Sequence, residues 1–203
     1  MPTIDIESAI WNSGYENIAC CDEVGRGCLF GSVLAAAVIM PKDVIIDGVK
    51  DSKKLSHKKR EQLYEIIKEK SLAIGVGTVS SEIIDKINIK NATRLAMKKA
   101  ILSLKDKDGN IVAPDYILID AEEIDVPTPQ SAVIKGDDLC HGIAAASIVA
   151  KVLRDRLCQR WEEEHPNYGI GQNKGYGTKA HREALKEHGP SPMHRKSFLN
   201  KIL

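Results

Sequence analysis

The feature that most constrains this chain is a set of short apolar runs that stop at acids. Ile18–Asp22 stops at Asp22 and Glu23, Tyr116–Asp120 stops at Asp120, and Ala132–Lys135 is followed by Gly136 and Asp137. Short β-branched and apolar runs bounded by turn formers read as strands. Tyr116–Asp120 is continuously apolar before its acid, which suits a strand buried on both faces. In open α/β sheets, sites form beyond the strand ends. Acids gathered there repel one another, and each desolvated charge costs several kcal/mol without a counter-charge. A divalent cation resolves the conflict, and hard oxygen donors without a His/Cys set point to Mg2+ or Mn2+ rather than zinc.

The rest of the chain supplies the frame. Ser32–Met40 is too short and too β-branched at its ends for a helix, and Pro41 stops it; Leu72–Val79 reads as a strand containing two glycines. Ser56 suits the N-cap of an amphipathic helix through about Lys70, with Leu63, Ile66 and Ile67 at helical spacing. Ser81 is expected to cap a short helix, and Ala92–Leu104 a longer one. The clearest helix runs from Ile143 to about Glu163, and its small first turns, Ala144-Ala145-Ala146-Ser147, allow close approach to a sheet. The chain then reads as loop from Pro166 to Gly177 and as helix from about Lys179 to Glu187. Strands alternating with helices give an α/β sandwich with a mixed central sheet. We expect one domain over residues 1–203, with a helical, substrate-contacting C-terminal part from about residue 165.

Charge is uneven along the chain. Residues 151–203 carry 11 Lys and Arg against 6 Asp and Glu, whereas the first 150 carry 18 against 22. A basic quarter beside an acidic remainder suits a protein that holds phosphates with one part and metal ions with another. Aromatics make up only 4% of residues, which argues against stacking base after base along a single strand. No apolar run reaches the ~18 residues of a membrane span. Five cysteines without CxxC spacing or a secretory leader point to a reducing cytoplasm and free thiols.

Gly25-Arg26-Gly27 follows the first acids. Such a loop lets backbone approach a sugar edge, where the 2′-hydroxyl distinguishes RNA from DNA, and Arg26 offers a planar fork for phosphate. Because adjacent strand residues point to opposite faces, Asp22 and Glu23 are expected to share a site only if the strand breaks there, so Asp22 is the safer ligand. The glycines also form GxGxxxG with Asp47 about 20 residues on, a dinucleotide-loop pattern. Asp22 and Glu23 beside a pyrophosphate, and no helix opening after the loop, count against it. No GxxxxGK[ST] is present.

Six segments in order resemble the type 2 ribonuclease H family, and within it bacterial ribonuclease HII. They are CDEVGRG (Cys21–Gly27), DSKKLS (Asp51–Ser56), ILID (Ile117–Asp120), KGD with IAAASIVAKVLRD (Lys135–Asp155), KGYGT (Lys174–Thr178) and HRKSF (His194–Phe198). The resemblance implies a ribonuclease H-like fold and a metal set of Asp22, Glu23, Asp120 and Asp137. Asp137 is preferred to Asp138 because the family's acid directly follows the glycine. It also implies that Gly25, Arg26, Gly27 and Tyr176 recognise a ribonucleotide–DNA junction, and that Lys53, Lys54 and Lys174 hold phosphates. The implied substrates are RNA–DNA hybrids and DNA duplexes containing ribonucleotides, cut on the 5′ side of a ribonucleotide to leave 3′-hydroxyl and 5′-phosphate. A monomer is expected.

The sister family, ribonuclease HIII, usually has Gly-Lys-Gly in the loop and an extra N-terminal domain; Arg26 and the short stretch before Asp22 favour HII. The competing readings are an HIII-like nuclease, a DNA-directed enzyme with the same acidic core, and a non-catalytic hybrid-binding module. The chain departs from the family pattern at Cys28, Phe30 and Ser32 after the loop, at Ala121 (commonly Gly) and at Asn173 (commonly His).

Overall fold

The computed structural model describes residues 1–200 and 202. Five strands form one mixed sheet: β1 (Ile18–Val24), β2 (Val33–Ile39), β3 (Ala73–Val79), β4 (Tyr116–Asp120) and β5 (Gln130–Val133), in the order β3-β2-β1-β4-β5. The first three pair antiparallel, and β4 and β5 join parallel to β1. The α/β class and the mixed sheet are as expected. Strand β2 is buried at every position, because Ala35 and Ala37 enter one core while Leu34, Ala36 and Val38 enter another. That two-sided burial removes the period-2 alternation a half-exposed strand shows.

Helix α1 (Asp5–Asn12), which sequence reading did not find, packs Trp11 with Ile18, Cys20 and Leu118. Helix α2 (His57–Lys70) has Ser56 as its N-cap, the hydroxyl accepting from the Lys59 amide. Helix α3 (Ser81–Leu102) is one element with a break at Asn88 (φ 65°), and its cap is Ser80, not Ser81. The Asn88 carboxamide accepts the Asn91 amide and so caps the second segment, which explains why the pattern reads as two helices. This second segment lies against the glycines of β3: a Cβ on Gly75 or Gly77 would stand 2.0 Å from a backbone carbonyl of α3.

A short helix α4 (Gly136–Leu139) leads into α5 (His141–Glu164), whose first turns from His141 to Ala150 are entirely buried. Cys140 gives α5 no side-chain cap; instead Glu7 of α1 accepts the Gly142 amide at 2.8 Å, a carboxylate at a helix N-terminus. The predicted strand at Ala132–Lys135 falls instead at Gln130–Val133, because Lys135 is left-handed and opens α4. The segment read as loop after Pro166 contains α6 (Ile170–Asn173), followed by α7 (Lys179–His188) and α8 (Lys196–Leu199). These pack around Phe30, which is fully buried with Trp161, Tyr168, Ile170, Leu185 and Leu199. All five cysteines are buried and free. Among the described residues no helix is long and apolar enough to cross a membrane.

Candidate active site

The first strand does not end at Asp22. Its pairing with β4 stops at Cys21–Ile119, but its pairing with β2 continues through Asp22–Ala36, Glu23–Ala35 and Val24–Leu34. The expected strand break is therefore absent, and Asp22 and Glu23 still meet. Carboxylate oxygens of Asp22, Glu23 and Asp120 all lie within 4.8 Å of one another. Past the end of the β4 ladder one side of β1 is free, and Asp22 folds back to accept the Glu23 amide at 2.8 Å. Losing one neighbour, rather than breaking the strand, is what lets two consecutive acids share a site.

Asp120 is the last residue of β4. Its Oδ1 accepts the Gly136 amide at 2.7 Å, which ties the end of β4 to the start of α4. Two left-handed residues frame this junction, Ala121 (φ 50°) and Lys135 (φ 58°). Asp137 lies in the first turn of α4, outside the three-carboxylate group, with its Oδ2 3.7 Å from Lys53 Nζ. Its charge bears on both Asp22 and Asp120. Asp138 turns to an ion pair with Lys54 instead.

Burial raises the Asp22 carboxyl well above its ordinary range, and Glu23 and Asp120 raise it further. Burial also raises Glu23, against the opposing pull of Arg26. Asp120 is raised by burial, and the Gly136 amide opposes the rise. Three desolvated acids with so little compensating charge form an oxygen-donor pocket that a divalent cation fits. The structure therefore brings together Asp22, Glu23 and Asp120, and sets Asp137 at their edge.

The loop after β1 is shaped from beneath by two buried arginines that sequence reading passed over. Gly25 is left-handed (φ 90°), and a Cβ there would fall 2.1 Å from Arg154 Nε. Arg154 donates to the carbonyls of Phe30 (3.3 Å) and Lys174 (3.1 Å). Arg195 donates to the carbonyls of Gly25 and Arg26, both at 2.8 Å, and of Gly31 at 2.9 Å. Arg26 itself lies 3.6 Å from Glu23 and 3.4 Å from Glu122, a buried acid also held by Arg94 at 3.0 Å. Arg154 and Arg195 stand inside the matching segments at Lys135–Asp155 and His194–Phe198, which was the available signal; Glu122 had none.

Tyr176 is 43% exposed and bridges to Cys28, with its ring beside Gly27. Lys53 and Lys54 stand on a short turn whose start, Asp51, accepts the Lys53 amide at 3.0 Å, and both ammonium groups face acids at the site's edge. Lys174 is placed differently: its ammonium donates to the Gly171 carbonyl, and its own carbonyl receives Arg154. Asn173 works as a brace, donating to the Tyr168 carbonyl at 2.7 Å and accepting the Gly175 amide at 2.8 Å.

Residues 19–201 match the family described as ribonuclease HII. A ribonuclease HII from Alkaliphilus metalliredigens (strain QYMF) is 68% identical over 203 residues, covering all of both chains. One from Enterococcus faecalis (strain ATCC 700802 / V583) is 52% identical over 192 residues, covering 95% of this chain and 73% of its own. Among solved structures, the ribonuclease H2 from Pyrococcus horikoshii OT3 superposes with a TM-score of 0.75 at 24% identity, covering 92% of this chain and 96% of that one, which shows the ribonuclease H-like fold. The chain belongs to the ribonuclease HII family, endonucleases that hydrolyse RNA in RNA–DNA hybrids.

Proposed function

We propose that the chain cuts on the 5′ side of ribonucleotides, in RNA–DNA hybrids and at single ribonucleotides within duplex DNA, leaving 3′-hydroxyl and 5′-phosphate ends. The observation that carries this reading is the convergence of Asp22, Glu23 and Asp120 within 4.8 Å, directly before the Gly25–Gly27 loop. Asp22, Glu23, Asp120 and Asp137 would hold Mg2+ or Mn2+. When bound, two such ions supply an activated water and charge at the leaving oxygen.

The protein's own residues bind and orient the strand. Gly25, Arg26 and Gly27 present backbone to the ribose 2′-hydroxyl, and the exposed Tyr176 ring lies against the sugar of the neighbouring nucleotide. Lys53 and Lys54 exchange their present carboxylates for phosphates. Lys174 does the same after leaving the Gly171 carbonyl. The enzyme would act as a cytoplasmic monomer that begins the removal of ribonucleotides from DNA.

The test is a labelled DNA duplex with one ribonucleotide, incubated with Mg2+, Mn2+ or EDTA. Metal-dependent cutting 5′ of the ribonucleotide supports the reading. Cutting of continuous hybrid alone would move the chain to an HIII-like specificity, and binding without cutting of either would make it a hybrid-binding module.

A further inference from the structure

His181 and His194 are both fully buried, and neither is used by the chemistry above. Their Nε2 atoms face each other at 3.0 Å, so one proton must lie between them. The Ser191 backbone N–H points at His194 Nδ1 at 3.0 Å. An amide can only donate, so His194 Nδ1 carries no proton, and the neutral ring holds its proton on Nε2. That proton is donated to His181 Nε2, which leaves the His181 proton on Nδ1. Nδ1 lies 2.9 Å from the Tyr176 carbonyl, where it donates. The result is one directed chain from Ser191 through both rings to Tyr176.

The geometry disfavours a second proton. Charging either ring would set two N–H groups against each other, or one against the Ser191 amide, and the Ser191 hydroxyl, also 3.0 Å from His194 Nδ1, can donate to the neutral ring. Apolar edges close the pair in: Phe30 lies 4.8 Å from the His194 ring, and Tyr168 lies 4.7 Å from it. The Tyr176 carbonyl also accepts the Thr178 amide at 2.8 Å, so His181 completes its two acceptor positions. His194 bridges to Phe30, and the neighbouring Arg195 holds the Gly25 and Arg26 carbonyls. Adjacent residues thus reach both sides of the proposed junction reader.

We infer that His181 and His194 are positioning residues that fix Tyr176 relative to the Gly25–Gly27 loop, and so set selectivity for a single ribonucleotide over continuous RNA. The selectivity part rests on the reading of Tyr176 proposed above. His181→Phe keeps a ring but removes the donor, whereas His181→Asn restores an N–H near the position of Nδ1. His181→Phe also takes the acceptor from His194 Nε2–H; the bond lost to Tyr176 itself, at about 1.4 kcal/mol, corresponds to about tenfold. His181→Phe should therefore lower cutting at a lone ribonucleotide about tenfold, with cutting of a long RNA–DNA hybrid within about twofold, and His181→Asn should recover most of the loss. Equal loss on both substrates, or no rescue, overturns the positioning role.

Nitrogen-15 NMR of the wild-type imidazoles tests the chain without reference to activity. A neutral Nδ1–H tautomer at His181 and Nε2–H at His194 is expected; Nε2–H at His181 overturns the inference. Tyr176→Ala on the same two substrates separates the two ideas. Unchanged selectivity there would remove the junction reading and the selectivity claim with it, and the NMR result would still decide the positioning chain.

Discussion

Arg195 Nη2 donates to the carbonyl of Gly25 at 2.8 Å, across 170 positions of sequence. With its bonds to Arg26 and Gly31, the guanidinium turns three carbonyls inward. Replacing it with Met would take this donor from all three, leaving Gly25 only a long bond from the Cys28 amide at 3.4 Å, and each unsatisfied buried carbonyl costs about 1–3 kcal/mol. We expect Arg195→Met to destabilise the protein by roughly 2–4 kcal/mol after partial relaxation, as measured by urea unfolding. Arg195→Lys should recover only part of this, because one ammonium cannot reproduce a planar fork.

Asp120 joins the carboxylate group and also receives the Gly136 amide. Asp120→Asn should lower turnover with Mg2+ by at least about a hundredfold, since metal charge stabilisation is worth several kcal/mol. Hybrid binding, measured by fluorescence anisotropy, should change less than about threefold because the basic contacts stay. Near-normal turnover would remove Asp120 from the ligand set.

The same carboxylates should weaken the metal-free fold. Asp22 is buried beside Glu23 and Asp120, and its carboxyl is raised by burial first and by their charge second. Asp22→Asn removes that repulsion, so its metal-free melting temperature should rise while activity falls. A gain of about 1 kcal/mol would appear as roughly 2–4 °C at this chain length. Excess Mg2+ should stabilise wild type more than the variant, narrowing the gap.

Ala121 holds φ 50° between β4 and the turn that follows. A left-handed L-residue costs about 1–2 kcal/mol, and glycine returns about 0.5–1 kcal/mol of that as chain entropy. Ala121→Gly should therefore stabilise the protein by up to about 1 kcal/mol in thermal unfolding. The departure from the family's common glycine is thus a conformational cost at a position that glycine fits.

Burial, and secondarily His181, lowers His194 from 6.5 to about 4. Between those values the unfolded chain binds a proton that the folded chain refuses, so stability falls as pH drops from 6.5 towards 4. The slope from this one group is about 1.4 kcal/mol per pH unit. His194→Gln should flatten the dependence in that window relative to wild type, in urea titrations at several pH values. The raised carboxyls of Asp22, Glu23 and Asp120 act in the opposite direction, and the paired comparison cancels them.

The presence of strands near the acids, the helices α2 and α5, and the family are legible in the sequence, because these rest on local patterns; the ends of β1 and β5 are not. Apolar runs, caps and short motifs act within a few residues of one another. Tyr116–Asp120 is even bounded as read. Tertiary structure decided the rest. The meeting of Asp22 and Glu23 depends on β4 ending beside a β1 that continues, a relationship between strands about 100 residues apart. Helix α1 depends on docking, with Glu7 closing the N-terminus of α5 from outside it. The buried Arg154, Arg195 and the His181–His194 pair carry ordinary polar residue types, and only packing shows which carbonyls they hold. A hydrogen-bond partner is a property of position in space, and no residue type specifies it in advance.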